Sequence, residues 1–201
     1  MPSRRNIDDA LCLAPTLIAA DGGAEFCLNA ERTPEAVIGD FDSLDPTLMA
    51  RLRDSRLIRV TEQETTDFEK SLNRIDAPFI LATGFTAGRV DHSLAVWAVL
   101  ARRTGPPTLV IGDEDVVFAA PRKISIEVAS GVRISLFPMT ATSGRSTGLE
   151  WPIDGLTLSP LGRLGTSNLS TGPVRLDFDV PGCLVIMPRE ALAEALSSLI
   201  G

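Results

Sequence analysis

The chain has 201 residues, 44% hydrophobic and 22% charged, with a formal net charge of −7. That length suits one large domain or two small ones. The acidic balance argues against a nucleic-acid partner, which needs a basic face, but not against a phosphorylated small molecule, since metal ions bridge acid to phosphate.

Near the N-terminus Arg4 and Arg5 precede an apolar run, as in a secretory leader, but Asp8 and Asp9 interrupt it and Pro15 cuts it. No stretch reaches the roughly 18–20 apolar residues of a membrane span. Cys12, Cys27 and Cys183 are odd in number and form no CxxC pair, so reduced cysteines are expected rather than a thiolate metal site. These features together predict a soluble cytoplasmic protein with no membrane partner.

Thr16 to Ala20 is a short apolar strand signal ending at Asp21-Gly22-Gly23, and residues 24–30 suit a short helix. Ala36-Val37-Ile38 is a second strand, ending at Gly39-Asp40-Phe41-Asp42-Ser43. Asp45-Pro46 starts a helix, with aspartate as cap and proline in the first turn, running to about Asp54. Leu57 to Val60 reads as a strand. Thr66-Asp67-Phe68-Glu69 fits a capping box and opens a helix. Phe79 to Ala82 is a strand, followed by a glycine-bearing loop to Arg89. Asp91 opens a helix whose Leu94, Ala95, Trp97, Ala98 and Leu100 predict burial on more than one side. Leu109 to Ile111 closes the series.

Alternating strands and helices predict a parallel sheet in an α/β domain over residues 1–115. Ligands of such sheets bind beyond the carboxyl ends of the strands. Asp21, Asp40, Asp42 and the loop from Gly84 to Arg89 all follow strands directly, so they belong on one rim. After about residue 113 the period changes to two, in Lys123 to Val128, Val132 to Leu136 and Val174 to Val180, with Cys183 to Met187 a further strand. This predicts a small antiparallel β domain over 122–201, with a short helix from Arg189.

Asp40 and Asp42 stand two residues apart. On an extended segment their carboxylates would share a side and repel unless a cation sits between them. Mg2+ fits, since one or two carboxylates plus substrate phosphates suffice to hold it. The same pentapeptide also suits a polar turn. Asp67 can join the metal site or serve its helix dipole, and Glu62 and Glu64 can be solvated charge. In Gly84-Phe85-Thr86-Ala87-Gly88-Arg89-Val90-Asp91-His92, the loop and helix start offer backbone N–H groups to an anion. Arg89 is either a fork for phosphate oxygens or a partner of Asp91. His92, the only histidine, is a candidate base or a helix-terminal residue. No GKS or GKT follows, so this is not a Walker loop.

Taken in order, Ala20-Asp21-Gly22-Gly23-Ala24, Gly39 to Ser43, Thr66-Asp67-Phe68-Glu69-Lys70 and Gly88-Arg89-Val90-Asp91-His92 resemble the thiamin pyrophosphokinase family, and Thr147 to Trp151 and Thr166-Ser167-Asn168 continue the pattern. The resemblance covers nearly the whole chain. It implies pyrophosphoryl transfer from ATP to thiamin, a β-sandwich second domain, and a homodimer with composite sites. It implies Mg2+ on Asp40, Asp42 and Asp67, and catalytic or orienting roles for Asp21, Arg89 and Asp91. It further implies an ATP site including Gly22, Gly23, Lys70, Gly84, Gly88, Arg89 and His92, and a thiamin side of Trp151, Ser167 and Asn168. Trp151 suits a flat cationic ligand or the core of a β domain. Phe85, Thr86 and Ala87 depart from the family's more glycine-rich loop. The same carboxylates would also serve a Mg2+-dependent hydrolase of nucleotides or phosphate esters. A non-catalytic sensor of thiamin or nucleotide would require lost metal ligands, yet the three aspartates are present.

Overall fold

A computed structural model describes residues 4–42 and 45–201; Ser43, part of the second motif, lies outside the described residues. The chain falls into two compact units, Met1–Ala77 with Ala82–Val96, and Pro78–Leu81 with Trp97–Gly201. The second unit thus begins before residue 115, which the sequence assigns to the first domain.

In the first unit, strands β1 (Ile18–Ala20), β2 (Ala36–Gly39) and β3 (Arg56–Arg59) form a parallel sheet in that order. The central strand is buried at all four positions, as expected of a strand covered on both faces. Three helices follow the strands: α2 (Gly23–Asn29), α3 (Pro46–Arg51) and α4 (Asp67–Leu72). Ala19, Ala24, Cys27, Val37, Leu48 and Leu52 make one core cluster. The two caps act as their sequences dictate. Asp45 accepts from the Leu48 N–H at 2.8 Å and Thr66 from the Glu69 N–H at 3.3 Å. The Asp45 helix ends at Arg51, one turn short of the expected Asp54.

One helix was not expected. Arg4–Leu13 forms α1, burying Asn6, Ile7 and Ala10 at helical spacing. The charges that break up a leader here become i,i+4 pairs, Arg4 with Asp8 and Arg5 with Asp9, each at 3.8 Å.

A nine-stranded sheet contains β4 (Ile80–Thr83), β5 (Thr108–Ile111), β6 (Asp115–Ala119), β7 (Lys123–Ile126), β8 (Arg133–Pro138), β9 (Thr142–Leu149), β10 (Thr157–Leu158), β11 (Gly165–Phe178) and β12 (Cys183–Pro188). Its order is β10-β9-β11-β8-β12-β6-β5-β4, with β7 also on β11. This corrects the expected topology: β4 and β5 do not extend the parallel sheet. A short connection after Ile111 turns the chain into β6, and the Gly112 N–H donates to the Asp115 carbonyl at 2.8 Å, so β5 and β6 run antiparallel. The acidic run Asp113-Glu114-Asp115 hides β6 in the sequence. Strand β11 is longer than the expected 174–180. Its first part pairs with β8 and its second with β9 and β7, with register shifts between Gly165 and Asn168 and between Ser170 and Arg175. The C-terminal helix α6 (Leu192–Ile200) buries Leu192, Ala195 and Leu196.

Helix α5 (Val90–Arg102) buries Val96, Val99 and Leu100, but leaves Val90 72% and Leu94 62% exposed. The expectation of a helix buried on more than one side is therefore wrong for Leu94 and Ala98, which face outward. Among the described residues no helix is long and apolar enough to cross a membrane.

Candidate active site

The rim of the parallel sheet is built around Asp21. Its N–H donates to the Ile38 carbonyl at 2.8 Å, and its Oδ1 accepts from the Phe41 N–H at 3.1 Å. This carboxylate thus ties the end of β1 to the turn after β2. A Cβ on Gly39 would stand 2.6 Å from Asp21 Oδ1, so glycine is what allows the approach. Asp21 and Phe41 both hold positive φ, 41° and 68°, which non-glycine residues adopt only when their surroundings impose it.

The left-handed Phe41 corrects one expectation. Asp40 and Asp42 are not on an extended segment, so the two-residue alternation does not apply. Instead the Asp42 N–H turns back to Asp40 Oδ1 at 3.2 Å. Asp40 Oδ2 meets Gln63 Nε2 at 3.3 Å and Lys70 Nζ at 3.6 Å. The backbone donor at Asp42, then Gln63, then Lys70, hold the Asp40 carboxyl below the usual carboxylate range. Gln63 carries no motif signal, because it lies in a loop and only folding brings it to Asp40.

Asp67 opens α4, and its Oδ1 lies 3.4 Å from Lys70 Nζ, one turn along the same helix. The Lys70 side chain is only 4% exposed. One buried ammonium therefore faces Asp67 on its own helix and Asp40 from the end of β2. Glu62 has a different task from the solvated charge that the sequence allows. Its carboxylate accepts from the Thr65 hydroxyl and from the backbone of Glu64 at 2.9 Å and Thr65 at 3.1 Å, shaping the entry to α4. The Thr65 hydroxyl above all depresses its pKa.

Among the described residues, no three His, Cys, Asp or Glu side chains gather to hold a metal by themselves. The donor set nonetheless suits a hard divalent cation. Two carboxylates converge on a single cation position, and Mg2+ takes its remaining oxygens from phosphates and water. Asp42 is exposed beside them.

The Gly84–Gly88 loop has φ of 86° and 94° at its two glycines. Phe85 packs its ring on Phe68 of α4, centroids 4.8 Å apart and tilted 57°. An apolar anchor thus fastens this loop to the helix that carries Asp67 and Lys70. Arg89 closes its fork on Asp91, Nε to Oδ1 at 3.1 Å and Nη2 to Oδ2 at 2.5 Å. That fork, together with the His92 N–H, holds the Asp91 carboxyl down at about 2. The His92 side chain is exposed.

In the second unit, Asn168 is 5% exposed and its amide is spent on Trp151. Oδ1 accepts from the Trp151 N–H at 3.1 Å and the Leu169 N–H at 2.9 Å, and Nδ2 donates to the Trp151 carbonyl at 2.6 Å. Trp151 itself is 56% exposed, so its ring is not core packing. Gly148 (φ 79°) is obligatory here, because a Cβ would collide with the Pro173 carbonyl. Ser167 sits in the β11 bulge at φ 61° and donates its N–H to Ser135 Oγ at 2.9 Å. Its side chain is left exposed.

The family model described as "Thiamin pyrophosphokinase, catalytic domain" matches residues 8–110, just over half of the chain. Among curated relatives, thiamine pyrophosphokinase 1 of Oryza sativa subsp. japonica is 28% identical over 155 residues, 68% of this chain and 59% of that protein. Thiamine pyrophosphokinase 2 of Arabidopsis thaliana is 26% identical over 186 residues, 76% of this chain and 70% of that protein. The chain spans only 58–59% of the length of three of the four curated relatives. The crystal structure of yeast thiamin pyrophosphokinase superposes with a TM-score of 0.76 at 19% identity, covering 94% of this chain and 83% of that one. That of Bacillus subtilis thiamine pyrophosphokinase gives 0.68 at 23%, covering 85% of each. At such identities the likeness establishes the fold, a mixed α/β architecture, while the family model carries the assignment. The chain belongs to the thiamin pyrophosphokinase family.

Proposed function

We propose that the protein transfers a pyrophosphoryl group from ATP to the hydroxyethyl group of thiamin, giving thiamin diphosphate and AMP. The observation that carries this reading is the convergence of Asp40 and Asp67 on one buried cation position, in a chain of this family. Phosphoryl transfer needs alignment and charge neutralisation more than a covalent nucleophile. When bound, Mg2+ would supply neutralisation of the phosphate charge. Asp40 and Asp67 would hold it together with ATP oxygens, with Asp42 beside them. Asp21 keeps the Asp40–Asp42 turn in shape through the Phe41 N–H. Gly22, Gly23, Gly84, Gly88 and His92 border the nucleotide, and Arg89 trades its bond with Asp91 for phosphate oxygens. Trp151, presented by Asn168, stacks on the cationic ring of thiamin, and Ser167 adds a hydroxyl.

The protein acts in the cytoplasm as a homodimer whose sites each take Asp40 and Asp67 from one chain and Trp151 from the other. Exposed apolar side chains suit such an assembly: Val90 and Leu94 one turn apart on α5, and Leu161 with Leu164 between β10 and β11.

The test is AMP formation from ATP and Mg2+ with and without thiamin. Thiamin-dependent AMP is expected. AMP or phosphate released equally without thiamin would make the protein a hydrolase, and no turnover with thiamin would end the proposal. For the dimer, Asp40→Asn and Trp151→Ala chains are mixed and allowed to exchange, and assayed at a thiamin concentration low enough that each is nearly inactive alone. About a quarter of wild-type sites should return, because half the dimers are mixed and each carries one intact site. No recovery after verified exchange would place each site within one chain.

A further inference from the structure

We propose that Lys70 is an internal competitor for the divalent cation: its ammonium takes the same Asp40 and Asp67 oxygens, so that metal enters chiefly as its complex with a polyphosphate. This rests on the metal role proposed above for Asp40 and Asp67.

Lys70 Nζ lies 3.4 Å from Asp67 Oδ1 and 3.6 Å from Asp40 Oδ2. The Lys70 side chain is 4% exposed, while those of Asp40 and Asp67 are 20% and 49% exposed, so ligands reach the carboxylates from outside and the ammonium from neither side. Mg2+ draws its oxygen ligands to about 2.0–2.1 Å. It cannot do so on both carboxylates while an ammonium stays between them, because the two cations would repel at contact distance. A free divalent ion must therefore expel Lys70 from a buried position and leave its charge with only the more distant pull of Glu62. A metal–polyphosphate complex differs. Its phosphate oxygens bring negative charge that can receive the displaced ammonium. The long flexible stem of lysine lets Nζ move while the helix stays in place. Lys70 would then serve twice, first as counter-ion to Asp40 and Asp67, afterwards as a phosphate contact. Its chemistry selects against free metal and favours ordered arrival of metal with nucleotide.

The test uses the full chain as wild type, Lys70→Met and Lys70→Arg, titrated calorimetrically with Mn2+ alone and then with Mn2+ plus an ATP analogue carrying a methylene between the α and β phosphorus atoms. Without nucleotide, Lys70→Met should bind Mn2+ at least about tenfold more tightly than wild type, about 1.4 kcal/mol. Lys70→Arg, whose fork grips carboxylates in a bidentate way, should bind it more weakly than wild type. With the analogue present, the advantage of Lys70→Met should vanish or reverse. Equal or weaker Mn2+ binding by Lys70→Met would overturn the inference. Should that variant fail to fold, the arginine arm decides, and Mn2+ binding by Lys70→Arg equal to or tighter than wild type would overturn it as well. Mn2+ binding with the analogue, but no difference among the three proteins, sinks the competitor role alone. No Mn2+ binding to any of them under either condition removes the metal role of Asp40 and Asp67 and this inference together.

Discussion

The rim of the first unit and the Trp151 corner of the second hold their side chains by opposite means. In the first unit charge holds charge: Lys70 faces Asp40 and Asp67 at the rim, and Arg89 clasps Asp91 in the loop after β4, which is not a strand of that sheet. At the corner a buried neutral amide, Asn168, fixes the Trp151 backbone on both its N–H and its carbonyl. Ionic contacts can be rearranged by an incoming cation or polyphosphate, whereas a satisfied buried amide has no cheaper alternative. The rim is therefore the part built to exchange partners, and the corner the part built to stay.

The sharpest way to break this contrast is Asp40→Asn. It removes one proposed metal ligand and one partner of Lys70, and turnover should fall by at least about 10²-fold. The melting temperature should fall while the fold is kept, since the buried Lys70 loses one of its two carboxylate partners and Asp21 still braces the turn. Near-normal turnover would remove Asp40 from the chemistry.

Trp151→Ala addresses the other region. Loss of a desolvated cation–π contact should weaken thiamin binding about 30-fold, roughly 2 kcal/mol, with ATP binding unaffected. Because the ring is more than half exposed, the melting temperature should hold. Separate titrations of the two ligands decide; equal loss for both would return Trp151 to a packing role.

Asn168→Ala should act through Trp151. It leaves the partly buried N–H and carbonyl of Trp151 without their partner, costing about 1–3 kcal/mol of stability. It should also weaken thiamin binding, by less than Trp151→Ala does. Denaturant unfolding of the two variants side by side checks this: Asn168→Ala should lower stability and Trp151→Ala should not.

The smallest effect concerns Asp91. Its carboxyl sits at about 2, below the ordinary 3.8, because Arg89 and the His92 N–H favour its charged form. A depressed carboxyl pKa stabilises the fold fully above the unfolded value. That contribution fades as pH falls from about 4 to about 2 and is absent below. Arg89→Leu should therefore raise the Asp91 titration midpoint towards 3.8, read by carboxyl-carbon NMR, and leave stability at neutral pH nearly unchanged, since both side chains are exposed. An unmoved midpoint would show that the backbone donor alone sets it.

The sequence made much of the first unit legible, for local reasons. Caps at Asp45 and Thr66 bond three residues ahead, so the short-range pattern contains all the physics. The acidic motifs after β1 and β2 were also visible, because strand ends are marked by glycine and aspartate. Strand β6 and the N-terminal helix were not visible. In each, charged residues that look like a linker or a leader flank are accommodated by partners distant in sequence, β12 for β6 and Arg32, close to Asp8 at 3.0 Å, for α1.

By itself the sequence determined the family, the parallel three-strand start, the period-two second half and the identity of the acidic side chains, since all of these rest on composition, spacing and local bonding. The tertiary structure decided how those side chains are used. Phe41 takes a left-handed turn because Asp21, twenty residues earlier, holds its N–H. Lys70 meets Asp40 across thirty residues because α4 packs on β2. β5 runs into an antiparallel ladder because β12 pairs with β6 from the far end of the chain. Each of these choices depends on long-range partners, and neither the hydrophobic period nor the spacing of motifs along the chain specifies which partners will meet.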